Sequence, residues 1–130
     1  MTPFGESLEI LRKHRGFTQV QLADKASITS NYLSMLERGT KGPPSEETLS
    51  KLADALELSS DEREQLFYDA KLVQFSLKVP AGASRDEYEM VQMLQSYLGT
   101  LTTKQVQLME LAMSIKTGIK QMVGESKMKT

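Results

Sequence analysis

Apolar residues recur at helical spacing along almost the whole of this chain, and no stretch alternates as a half-buried strand would. Phe4, Leu8 and Leu11 stand at i, i+4 and i+7 on one face of a first helix. Gly16 ends it, because glycine takes a left-handed cap without strain. Thr18 reads as the N-cap of a second helix carrying Leu22, Ala23 and Ala26, and Thr29 as the cap of a third with Leu33 and Leu36 turned inward. Gly39 closes that third helix. Gly42-Pro43-Pro44 is a loop, since consecutive prolines cannot continue a helix. Ser45 opens a fourth helix with Leu49, Leu52, Ala53 and Leu56 along its apolar side. Thr48 stands where a full capping box would carry Glu or Gln, while Glu46 and Glu47 suit the positive end of a helix dipole. Ser59 and Glu62 form a capping box for a fifth helix bearing Leu66, Phe67 and Ala70. The expected class is all-α.

A second part follows a break. Lys78–Ser84 holds the last proline of the chain among small residues and reads as a flexible linker between a domain at 1–77 and a helical segment at 85–130. Ser84 and Glu87 form another capping box, and Tyr88, Val91, Leu94 and Leu98 make a helical stripe. Gly99 breaks it. Thr102 or Thr103 then caps a long last helix with Val106, Met109, Ala112, Ile115, Ile119 and Met122. Two helices cannot cover both stripes, and units below about 40–50 residues need a metal, a disulfide or a partner. The 130 residues contain no cysteine and a single histidine, His14, which removes the disulfide and any multi-histidine metal cluster. A partner remains. The expectation is a homodimer through this two-helix segment, with a higher oligomer open. Six of the eight methionines lie beyond residue 85, so a methionine-lined sensor pocket is the competing use. A small-molecule ligand is not expected, because apolar residues at helical spacing are more often core or interface.

Composition narrows the function classes. No apolar run approaches the roughly 18–20 residues that span a bilayer, and the N-terminus lacks a signal-peptide core, so a cytoplasmic protein without membrane contact is expected. No clustered acid–base pair, glycine-rich phosphate loop or metal-ligand spacing occurs, so neither enzyme activity nor a cofactor is expected. The net charge of −1 hides an uneven distribution: six bases against four acids up to Ser45, two against eight from Glu46 to Ala70, and eight against five thereafter. The N-terminal stretch is therefore mildly basic. His14 is assigned to solvent or the edge of a phosphate, and Lys116, Lys120, Lys127 and Lys129 to a solvated face and tail.

The informative stretch is Gln19–Arg38. It holds two short helices with a break at Ala26–Ile28, a small Ala23 at their close approach, and Leu22, Ala26, Ile28, Leu33 and Leu36 joining them into one corner. That is helix-turn-helix geometry, in which the second helix can enter a major groove. Its outward positions are Ser30, Asn31, Ser34 and Met35, with nothing acidic to repel phosphate.

From Leu8 to Leu58 the chain resembles the Cro/phage-repressor (XRE) family of helix-turn-helix regulators. The matching residues are Phe17-Thr18-Gln19, Leu22-Ala23, Ile28-Thr29, Tyr32-Leu33-Ser34, Leu36-Glu37-Arg38-Gly39, Pro43-Pro44 and the Thr48–Leu56 stripe. The resemblance implies a five-helix repressor-like domain that binds double-stranded DNA as a transcriptional regulator, in the cytoplasm of a bacterium or as a phage product. It implies base reading by Ser30, Asn31, Ser34 and Met35, with Asn31 suited to adenine. It implies backbone contacts from Gln19, Thr18, Thr29, Tyr32, Thr40 and Lys41, although Thr29 serves equally as a plain N-cap and Tyr32 as a core-edge ring. Arg12 and Glu37 match a structural pair bridging the first and third helices. The family usually has glycine at the turn, where this chain has Ser27, at a cost on the order of 1 kcal/mol. The expected action is repression at a palindromic operator. An antitoxin that also represses its own operon is the alternative.

Overall fold

A computed structural model describes residues 1–74 and 77–128, with side chains described through Ile115. Seven helices and no strand occur among the described residues: α1 (Pro3–His14), α2 (Gln19–Ala26), α3 (Ser30–Arg38), α4 (Glu46–Ala55), α5 (Ser60–Leu72), α6 (Arg85–Tyr97) and α7 (Thr103–Met128). The chain divides into two compact units, Met1–Leu77 and Lys78–Thr130.

The helix starts of the first unit are made by side chains. Thr2, Thr18, Thr29, Ser45 and Ser59 each accept a hydrogen bond from a backbone N–H of the following turn. Each such cap contributes about 1 kcal/mol. Thr18–Gln21 and Ser59–Glu62 close reciprocal capping boxes. The helix ends follow one rule. After α1, α2, α3 and α4 a residue turns left-handed (Gly16, Ser27, Gly39 and Glu57), and the next N–H reaches back to the carbonyl of Arg12, Ala23, Met35 or Ala53. This is the Schellman closure. Phe17, Ile28 and Leu58, the residues just beyond three of these turns, fold back against the core. Ser27, with φ 57° and ψ 41°, therefore keeps the turn that glycine usually makes.

The core of this unit gathers Phe4 and Leu8 of α1, Leu22 of α2, Leu33 and Leu36 of α3, Leu52 of α4, Leu56 just beyond it, and Leu66 of α5, none more than 2% exposed. Burying one such side chain contributes roughly 1.5–3 kcal/mol. Helix α1 packs on α3 and α5, and α2 packs on α3 and α4. A β-carbon at Gly5 would run into the Glu37 carbonyl and come within 2.8 Å of the Leu36 carbonyl, so glycine there seats the end of α3 against α1. Two polar ties hold α5 to α1. Arg15 Nη2 reaches Glu62 Oε1 at 2.7 Å, and the Ser7 hydroxyl donates to the buried Asp69 carboxylate at 2.5 Å.

In the second unit α6 and α7 form a hairpin. Ser84 and Glu87 close the capping box of α6. Thr102, not Thr103, opens α7, exchanging hydrogen bonds with Gln105 in both directions. No residue of α6 is buried. Val91, Leu94, Leu101 and Met109 are half-buried, while Tyr88, Leu98, Val106, Ala112 and Ile115 are exposed. The side chains of Ile119 and Met122, and those of Lys116, Lys120, Lys127 and Lys129, lie outside the described residues. An open apolar groove of about 480 Å³ runs along the hairpin, and besides Leu94 and Met109 it is lined by Met90, Met93, Tyr97 and Leu108.

Candidate nucleic-acid interface

The interface candidates sit on α2, α3 and the loop after α3. Thr18 Oγ1 accepts from Gln21 N at 3.1 Å and Gln21 Oε1 accepts from Thr18 N at 2.9 Å. That leaves the N–H groups of Gln19 and Val20, the first two of α2, without an intrahelical acceptor, as helix geometry requires. The Thr18-x-x-Gln21 spacing is the sequence signature of this capping box. At the next helix Thr29 Oγ1 accepts from Tyr32 N at 3.1 Å, so Thr29 is an N-cap. The N–H groups of Ser30 and Asn31 remain at the start of α3, and both side chains are exposed. Ser34 and Met35 lie one turn on and are half-buried, and Tyr32 packs its ring against the core.

The end of α3 is wrapped by the loop that follows. Thr40 N, Thr40 Oγ1 and Lys41 N all donate to the Met35 carbonyl, at 3.1, 3.4 and 3.4 Å. This holds the exposed Lys41 beside the last turn of α3. Thr40's hydroxyl proton is thereby engaged. Arg38 is exposed as well, and Lys25 lies over the Phe17 ring, 4.9 Å from its centre.

Beneath these groups lies a buried ionic ring. Glu37 is 2% exposed and accepts from Arg12 Nε at 2.8 Å and Nη2 at 2.9 Å, a bidentate pair. Arg12 Nη1 donates to the Phe17 carbonyl at 2.9 Å. The Glu37 carboxylate raises the Arg12 pKa above its ordinary value, against the opposing effect of burial. The same Glu37 oxygen that takes Nη2 also accepts from Gln19 Nε2 at 3.3 Å. One carboxylate thus joins α1, the entry to α2 and α3, and its charge is neutralised inside the domain. The family resemblance placed Arg12 with Glu37; it held no signal for Gln19 joining them.

Residues 8–63, which carry this whole arrangement, match the HTH_3 helix-turn-helix family. Over this stretch the chain is similar to helix-turn-helix proteins. The HTH-type transcriptional regulator SinR of Bacillus subtilis (strain 168) is 33% identical over 72 residues, covering 52% of this chain and 65% of SinR. The HTH-type transcriptional repressor RghR of the same organism is 40% identical over 58 residues, 45% of this chain and 43% of RghR. An immunity repressor protein of Bacillus phage phi105 is 44% identical over 52 residues, 40% of this chain and 35% of the phage protein. The matches therefore span less than two thirds of each relative. The relatives matched over this stretch are named as regulators and repressors. Among the described residues no group of three or more His, Asp or Glu could hold a metal, and no helix is long and apolar enough to cross a membrane.

Proposed function

We propose that this chain is a sequence-specific double-stranded DNA-binding transcriptional repressor that occupies a palindromic operator as a dimer. The observation carrying the reading is the first turn of α3: Ser30 and Asn31 stand exposed, with Ser34 and Met35 one turn on and nothing acidic exposed on the helix. In this reading Asn31 pairs bidentately with adenine, Met35 meets a thymine methyl, and Ser30 and Ser34 make shorter polar contacts. Gln19, the N–H groups at the start of α2, Thr18, Tyr32 and Lys41 hold phosphates, with Thr29 and Thr40 assisting from their capped positions. Repression follows from occupancy, in keeping with the relatives named as repressors.

The dimer reading rests on the hairpin. Met90, Met93, Tyr97, Leu98, Leu108 and Leu111 are each more than half exposed, an apolar surface that a second hairpin would cover as a four-helix arrangement. Selection of bound duplexes from a random library by the full chain tests both parts. The expected product is an inverted repeat whose half-sites lie about 34–36 Å apart, or a multiple of that. Recovery of no preferred sequence would sink the DNA-reading assignment, and recovery of a lone half-site would sink the two-fold one.

A further inference from the structure

We propose that Glu37, besides pairing with Arg12, is a positioning residue that orients the Gln19 amide for a DNA phosphate. The inference rests on the DNA-binding reading above and adds to it a residue buried beneath the interface. Its basis is the shared oxygen: Glu37 Oε1 accepts from Arg12 Nη2 at 2.9 Å and from Gln19 Nε2 at 3.3 Å.

A carboxylate can only accept. A primary amide presents a nitrogen with two N–H donors and an oxygen that accepts. Placed against Glu37, the Gln19 carboxamide is held with Nε2 rather than Oε1 toward the carboxylate. The second N–H of the same nitrogen then remains to donate to an anionic oxygen. Without Glu37 the amide would rotate freely, and an oxygen turned toward the phosphate would repel it. Gln19 is also the first residue of α2, where two backbone N–H groups lack intrahelical acceptors. The oriented amide and these N–H groups belong to one helix end.

Burial sharpens the effect. Glu37 is held on both oxygens by Arg12, and Arg12 is held in turn by the Phe17 carbonyl. The acceptor facing Gln19 is therefore immobile, and immobility of the supporting group is what lets a contact form without further loss of side-chain entropy. Because Arg12 cancels the charge of Glu37, the carboxylate directs the amide without repelling the phosphate beyond it.

The test has two arms, both on the full chain. In the first, nitrogen-15 spectra are recorded without DNA. The Gln19 side-chain amide pair should stand apart from the other glutamines and exchange slowly with water. Glu37→Gln should return it to the glutamine envelope while the backbone resonances stay dispersed. If Glu37→Gln unfolds the domain, Arg12→Met combined with Glu37→Met removes both buried charges together and takes its place. A Gln19 amide pair indistinguishable from the exposed glutamines in the unaltered chain overturns the proposal.

The second arm measures affinity for the selected duplex with Gln19→Ala, the Glu37 substitution and their combination. Each alone should weaken binding about tenfold, the size of one hydrogen bond to a charged acceptor. The combination should be no more than about twofold weaker than Gln19→Ala alone. Effects that multiply to about a hundredfold would mean that Glu37 acts only through the fold, and would overturn the proposal. A chain that binds no duplex at all overturns the DNA-binding reading and this one with it. That outcome is told apart from failure of the positioning step because the amide signature is read in the absence of DNA.

Discussion

Exposed in the first turn of α3, Asn31 carries an amide able to pair with two groups on one edge of a base. Asn31→Ala should cost roughly 1–3 kcal/mol at one base-pair position and relax the preference there, leaving the rest of the selected consensus intact. An unchanged consensus would place base reading elsewhere. Lys41 differs in kind. Its backbone N–H is tied to the Met35 carbonyl while its side chain is exposed, and in the proposed reading its contact is with the sugar-phosphate backbone and carries no sequence. Lys41→Ala should weaken all duplexes about equally, and the slope of log affinity against log salt should fall by about 0.9. Titrations at several salt concentrations separate the two behaviours.

Helices α1 to α4 end in one kind of turn, closed at two places by glycine and at two by Ser27 and Glu57 with φ of 57° and 52°. A side chain in that conformation is strained by about 1–2 kcal/mol. Neither side chain has a hydrogen bond that offsets the strain. Glycine also gains freedom in the unfolded chain, which works against the substitution. Ser27→Gly and Glu57→Gly should each therefore stabilise the domain by about 0.5–1 kcal/mol net, a rise in melting temperature of a few degrees. A fall would show that the turns are held by something other than backbone geometry. The joint of α1 and α5 responds instead to pH. The Arg15 guanidinium, together with the hydrogen bonds from Ser59, lowers the Glu62 pKa from 4.5 to about 2. Since folding lowers this pKa, the ionised carboxylate favours the folded state. Its contribution is complete above pH 4.5 and is lost as the pH falls toward about 2. In thermal melts across that range, the advantage of the unaltered chain over Glu62→Gln should shrink steadily. A constant difference would mean that the pair is not formed in solution.

At the scale of the whole molecule, the two units differ in how much they bury. Residues 1–77 have a closed core, whereas no residue of α6 is buried. A chain stopped after Pro80 should therefore keep its cooperative melt and sediment as a monomer. It should bind a half-site with the same preference as the full chain, and the full palindrome much more weakly, because linking two readers raises the effective concentration of the second. A truncated chain that remains dimeric would move the interface into α1–α5 and leave the hairpin for another partner.

How much of this was legible in advance depended on how far each signal reaches along the chain. Caps such as Ser59–Glu62, stops such as Gly16 and Gly39, and stripes such as Leu49, Leu52, Ala53 and Leu56 act over three to seven residues, so the seven helices could be read from local pattern. The Arg12–Glu37 pair came through the motif that both belong to. The third member, Gln19, did not, because nothing in the spacing says that an amide 18 positions before Glu37 turns inward to it. Likewise the Ser7–Asp69 bond joins residues 62 positions apart, and the need for glycine at position 5 appears only once α3 lies against it. In the hairpin, periodicity marked Tyr88 and Leu98 as one stripe, but the groove is lined by Met90, Met93 and Tyr97. By itself, then, the sequence determined where helices start and stop and which faces are apolar, because those follow from backbone hydrogen bonding and side-chain period within a turn or two. Which polar groups share an acceptor, and which apolar residues face one another, was decided only by the tertiary structure, since both depend on the distances and rotations between helices far apart in the chain.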